Sequence, residues 1–207
     1  MGTETSFNQR NLANKATLLG NGESVISNVS NSAAALWDGF IVTGGSGSVG
    51  GGINNSGSAV SIRNCIISGN IASVGGGIYN FSNSAPTIIN CVISGNKGSG
   101  MYNEYESSPT VIGCTIAGNT ANSGGGIFNN FGSACAVINC IIWGNTALTQ
   151  GNGIFNDNTA TVTVTYSDVQ DITTGMGNIS LDPKFVAPGT GAVPFNSGDY
   201  RLKTGSP

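Results

Sequence analysis

A single phrase recurs down this chain at a nearly fixed spacing: "GGGINN" at 50–55, "GGGIYN" at 75–80, "GSGMYN" at 98–103, "GGGIFN" at 124–129 and "GNGIFN" at 151–156. Aligned on their apolar residue (Ile53, Ile78, Met101, Ile127, Ile154), the copies lie 25, 23, 26 and 27 residues apart. A second phrase travels with the first: "NCIISGN" at 64–70, "NCVISGN" at 90–96, "GCTIAGN" at 113–119 and "NCIIWGN" at 139–145, with a degenerate copy "GFIVTGG" at 39–45. Such a period belongs to solenoids, propellers or arrays; a propeller blade takes about 40 residues and a helical repeat about 33 or more. The leucine framework of a leucine-rich repeat is missing. One coil of a parallel β-helix is what roughly 25 residues of Ile, Val, Thr and Gly can build.

The columns of the alignment say how each coil is made. Gly39, Asn64, Asn90, Gly113 and Asn139 share one position. Gly and Asn tolerate the left-handed conformation, so this position is a sharp corner between short strands. Asn55, Asn80, Asn103, Asn129 and Asn156 share another, and Asn70, Asn96, Asn119 and Asn145 a third. Stacked amides hydrogen-bond from rung to rung, which makes each of these an asparagine ladder. The inward columns are Val42, Ile67, Ile93, Ile116, Ile142 and Trp37, Ile62, Ile88, Val111, Val137. Each coil buries its apolar face only against its neighbours. The expected fold is therefore all-β, a single-stranded right-handed parallel β-helix of about six to seven coils. Its hand follows the preference of parallel crossovers, and it should form a rod roughly 30 Å long. Residues 1–15 read as a polar N-terminal segment, 16–171 as the coils, and 172–207 as an irregular terminal coil with a hairpin-like closure over the open end.

Composition narrows the function classes. Only 8% of residues are charged, 33 are glycine, the net charge is −3 and histidine is absent. The commonest general base and a common metal ligand are thereby missing. No run of Lys or Arg offers a footprint for nucleic acid. No apolar stretch reaches about 18 residues, so no helical membrane insertion is expected. The opening "MGTETSFNQRNLANK" has no apolar core of a signal peptide. The Asn/Ser/Thr/Gly-rich surface points to a secreted or cell-surface bacterial protein, and the ending on "GSP" to a longer natural chain.

The "GGGIYN…PTIINCVISGN" repeats and the "LDPKFV…DYRLKTGSP" ending resemble bacterial right-handed β-helix repeat proteins of the pectate-lyase-like superfamily. More narrowly, they resemble surface proteins whose β-helix precedes a C-terminal anchoring or sorting module. "LWDGFIVTGG" at 36–45 matches the phrase that opens the repeat tract in that group. The likeness covers roughly residues 16–207. It implies the fold, whereas the group's activities range over adhesins, polysaccharide lyases and hydrolases.

Side chains that could carry chemistry are few. The column after the inward aliphatic reads Asn54, Tyr79, Tyr102, Phe128, Phe155. Strand alternation turns it outward, where regularly spaced rings make a platform for sugars. Glu104 and Glu106, with Lys97 before the same strand, form the one constellation that could serve polysaccharide cleavage; otherwise they are a solvated loop. Asp168, Asp171 and Asp182 could offer oxygen ligands, and calcium is the cofactor they would take. Cys65, Cys91, Cys114 and Cys140 lie along a line instead of converging on a point, which suits a core column better than a metal site. Cys135 lies off that line. "GSGSVGGG" at 45–52 lacks the Gly-Lys-Ser/Thr ending of a phosphate loop. The expected function is a non-catalytic structural stalk or adhesin with carbohydrate binding to a polysaccharide or cell-surface glycan. The alternatives are a polysaccharide lyase or glycoside hydrolase, and a filament subunit stacking on its own copies end to end.

Overall fold

In a computed structural model of the chain, residues 15–32 and 35–207 are described. The polar segment expected at 1–15 lies, apart from Lys15, outside them. The described residues contain no helix. The chain winds through about six turns of three short parallel strands each, and every strand pairs with the strand one coil away. The first sheet has seven strands, from Ala16–Leu19 to Asp168–Val169; the second has six, from Ile26–Val29 to Ile154–Asn156; the third has six, from Leu36–Asp38 to Thr161–Thr165.

The register follows the columns read from the sequence. Val42, Ile67, Ile93, Ile116 and Ile142 are in line in the first sheet, each fully buried. Trp37, Ile62, Ile88, Val111 and Val137 are in line in the third. Turning the chain from the third sheet into the first takes one left-handed residue per coil: Gly39, Asn64, Asn90, Gly113 and Asn139 all have φ between 51° and 76°. Tyr166 continues this corner at φ 51°.

Both asparagine ladders form inside the helix. Asn28, Asn55, Asn80, Asn103 and Asn129 each pass an amide N–H to the side-chain carbonyl oxygen of the next, at 2.7–2.8 Å, and Asn156 accepts the last. The indole N–H of Trp37 donates to Asn28 Oδ1 and starts the ladder. In the second ladder, Asn70, Asn96 and Asn119 each donate to the next amide at 2.9–3.0 Å, and that same oxygen also accepts the donor residue's backbone N–H. Buried amides would otherwise cost about 1–3 kcal/mol each; stacked at one-coil spacing, they satisfy one another.

The four cysteines of the sequence line make a comparable column. The backbone N–H groups of Cys65, Cys91 and Cys114 donate to the thiol of the next coil at 3.4–3.5 Å, and that of Cys140 donates to Ser167 Oγ at 3.0 Å. All five cysteines are free and buried, and burial pushes Cys135 up to about 12. The thiols of Cys91, Cys114 and Cys140 act as core side chains that also accept a hydrogen bond.

Past the last coil, residues 174–180 add a partial rung, with Tyr166 N–H bonded to Met176 O and Ile179 N–H to Ser167 O. The hairpin that follows differs from the closure expected over the open end. Its strands Phe185–Ala187 and Asp199–Leu202 are antiparallel, and the chain returns along the side of the helix, over the outer face of the first sheet. Phe195 fixes it there: its N–H bonds Gly95 O at 2.8 Å. A Cβ on Gly95 would meet the Phe195 carbonyl oxygen at 2.2 Å and its ring at 2.5 Å, so no larger residue fits beneath this strap.

Candidate functional site

The aromatic column of the second sheet does point outward, between inward Ile and inward Asn, but it does not form an open platform along its length. Tyr79 and Tyr102 are only 7% and 8% exposed, while Phe128 and Phe155 are half-buried. The rings run down the coils with centroids 5.8, 4.7 and 5.4 Å apart. Glycine turns close in from one side: a Cβ on Gly75 would sit 3.0 Å from Tyr79 Cβ, and one on Gly124 2.5 Å from Phe128 Cβ.

Both phenols are tied down. Tyr79 Oη donates to Glu104 Oε2 at 2.6 Å, and Asn130 Nδ2 donates to Tyr102 Oη at 3.3 Å. Burial, followed by the Glu104 carboxylate, pushes the Tyr79 phenol well above its usual range. A charge-assisted bond of this kind contributes about 1.5–3 kcal/mol, at the lower end where the carboxylate is half-exposed. Tyr79→Phe should therefore lower stability by about 1.5 kcal/mol, read from the urea midpoint at constant slope.

The exposed rings stand one step further along, in the turns that leave the second sheet. Tyr105 is 48% exposed and Phe131 43%. Their rings stack at 4.8 Å with 11° between planes, and Phe81 meets Tyr105 edge-on at 5.3 Å. Tyr105 has φ 50° and Phe131 φ 43°. For residues other than glycine that conformation costs about 1–2 kcal/mol, and bulky aromatic residues rarely adopt it. Two successive coils nevertheless hold an aromatic residue there. Rung-to-rung bonds keep them in place, with Asn83 N–H on Tyr105 O at 2.9 Å and Glu106 N–H on Phe131 O at 3.0 Å. The turn sets this conformation in every coil, since Ser30, Gly57, Ser82 and Asn158 are left-handed at the same step after the ladder asparagine; what sets the two coils apart is the exposed ring each carries there.

Beside this tier is a cavity of about 490 Å³ lined by Asn83, Tyr105, Glu106, Phe131, Gly132 and Thr159. It presents two ring surfaces, one exposed carboxylate, one amide and one hydroxyl. That inventory suits a polar ligand with apolar faces. Alignment on the repeated phrase stops at the ladder asparagine and so passes over this tier. The signal is an aromatic one or two residues beyond that asparagine in three consecutive coils: Phe81, Tyr105 and Phe131.

The fold does not gather the carboxylates and the lysine. Glu104 turns to Tyr79, whereas Glu106 lines the cavity. Lys97 belongs to a different groove, with Ile71, Thr120, Ala121 and Leu148. The three aspartates serve the chain's return. Asp168 is 8% exposed and its Oδ1 accepts the Leu181 N–H; burial raises its pKa, which the Leu181 bond opposes and the nearby Asp182 charge reinforces. Asp182 Oδ1 accepts the Lys184 N–H at 2.9 Å, and Asp171 N–H donates to Ser180 Oγ. Among the described residues, no three His, Cys, Asp or Glu side chains converge on a point.

Compared with known proteins, residues 10–169 match the family model described as right handed beta helix region. No curated protein and no solved structure matches the chain.

Proposed function

This chain belongs to the right-handed β-helix family, and on that premise we propose that it is a non-catalytic module displayed outside a bacterial cell, a stalk or adhesin whose exposed ring tier rests on the faces of sugar rings. The observation that carries the reading is the stacked pair Tyr105 and Phe131, half exposed and held left-handed on successive coils. Sugar rings offer C–H faces to aromatic planes and hydroxyls to Glu106, Asn83 and Thr159, which share the same cavity. The separation of Lys97 from Glu106 favours binding over cleavage. The likeness of "LDPKFV…DYRLKTGSP" and "LWDGFIVTGG" to surface proteins with a C-terminal anchoring or sorting module belongs to the same proposal.

The test is native electrophoresis through gels carrying a panel of embedded polysaccharides. It compares the wild type with Tyr105→Asn/Phe131→Asn, since asparagine tolerates the left-handed backbone and keeps the turns intact. At least one polysaccharide should retard the wild type, and loss of both rings should weaken retention by about tenfold or more. Retardation unchanged in the double variant, or none on any polysaccharide, contradicts the reading. A cleared zone around the band, abolished by Glu106→Gln, would replace it with the lyase or hydrolase.

A further inference from the structure

The glycine of each second phrase leaves the first sheet at positive φ, in line one coil above the next: Gly69, Gly95, Gly118 and Gly144 at 69°, 62°, 66° and 67°. Together they make a trough on the side of the helix with no side chains in its floor. The strap already uses it. Phe195 joins its N–H to Gly95 O and lays its ring across Gly95 and Gly118, where added Cβ atoms would meet that ring at 2.5 and 2.9 Å.

One coil further on, over Gly144, nothing stands within 4 Å of where a Cβ would be. That position opens into a cavity of about 510 Å³, within the range of ligand sites. Its floor is Ala117, Gly118 and Gly144; Trp143, Phe185 and Tyr200 stand around it; Lys184, Lys203 and Asp182 rim it. Phe185 and Tyr200 already meet edge-on at 5.2 Å, leaving Trp143 as the half-exposed wall. The Tyr200 hydroxyl is buried, close to the Ser94 side chain and the Gly189 backbone. Lys184 spends its ammonium on Gly205 O, whereas Lys203 is exposed at the rim.

We propose that this cavity is a socket for an aromatic side chain of an extended partner peptide, with a carboxylate beside that residue meeting Lys203. The occupant is inferred from the way Phe195 fills the neighbouring position of the same trough, with its ring on glycine and its backbone N–H on a glycine carbonyl. The chemistry of the walls agrees, because edge-to-face contacts with Trp143 and Tyr200 favour a ring over an aliphatic side chain. So does the rim, where two lysines face one aspartate in a chain that is otherwise acidic. This site shares no lining residue with the cavity beside Tyr105 and Phe131.

The experiment titrates the full chain with the acetylated, amidated tripeptide Asp-Phe-Asp and follows the two indole N–H signals by NMR. Trp143 should shift saturably while Trp37, inside the helix, stays in place and reports an intact fold. Asp-Leu-Asp should bind about fivefold or more weakly, Lys203→Glu should weaken Asp-Phe-Asp by a similar factor, and Gly144→Asn should abolish the shift by filling the floor with the side chain that best tolerates the left-handed backbone. The proposal is overturned if Trp143 does not move up to about 10 mM peptide, or if it moves equally in Lys203→Glu and Gly144→Asn. It is also overturned if N-acetylglucosamine shifts Trp143 and the peptide does not, which would make the cavity a sugar site.

Discussion

Replacing Asn103 with alanine should lower the unfolding free energy by about 2–5 kcal/mol, although the change removes no apolar contact of note. Asn103 is fully buried in the middle of the longer ladder. Its Oδ1 accepts from Asn80 and its Nδ2 donates to Asn129, both at 2.7 Å. Truncation therefore strands one donor and one acceptor in a dry interior, each at about 1–3 kcal/mol. Asn54, an outward neighbour of the ladder in the second sheet, is the comparison: Asn54→Ala should stay within about 0.5 kcal/mol. Urea unfolding of both variants at unchanged slope measures the difference. Equal, small losses would mean that the ladder is incidental to stability.

The second large effect tests strand alternation directly. Ile93 is fully buried between Ile67 and Ile116 in the first sheet, and Ile93→Ala should cost about 2–5 kcal/mol through lost burial and the cavity left behind. The adjacent Val92 points the other way, half-buried beneath the strap. Val92→Ala should cost about 1 kcal/mol or less. In a solenoid the Ile93 loss is also felt through both neighbouring coils, so unfolding should remain a single transition that moves as a whole. A Val92→Ala loss equal to that of Ile93→Ala would contradict the register.

What the sequence made legible was whatever repeats. The left-handed corners at Asn64, Asn90 and Asn139, the amide ladder from Asn55 to Asn156 and the inward Ile columns each recur at one-coil spacing, because stacking forces the same physical demand on every coil. The ladder's true beginning at Asn28 was harder to see, because the repeated phrase is degenerate there and its cap comes from Trp37. Tyr105 and Phe131 lie two residues past the ladder asparagine, in a left-handed column that Ser30, Gly57, Ser82 and Asn158 fill in the other coils, so their exposure depends on the turn and not on the repeated phrase, which ends at the asparagine. The burial of Tyr79 and Tyr102 is not legible from the strand pattern. Alternation gives the face of a strand, but not what the following turn lays beside it. Nothing periodic marks Phe195, whose partners Gly95 and Gly118 are several coils earlier in the chain. The distance between Lys97 and the glutamates depends likewise on which corner of the coil each occupies, which sequence proximity does not reveal.

The ring tier is tested most sharply by the ring-proton NMR spectrum during titration with fragments of whichever polysaccharide retards the protein. The signals of Tyr105 and Phe131 should move together and saturate, while those of Tyr79 and Tyr102, buried and tied to Glu104 and Asn130, stay where they are. Movement confined to Tyr79 and Tyr102, or to none of the four rings, would contradict this expectation.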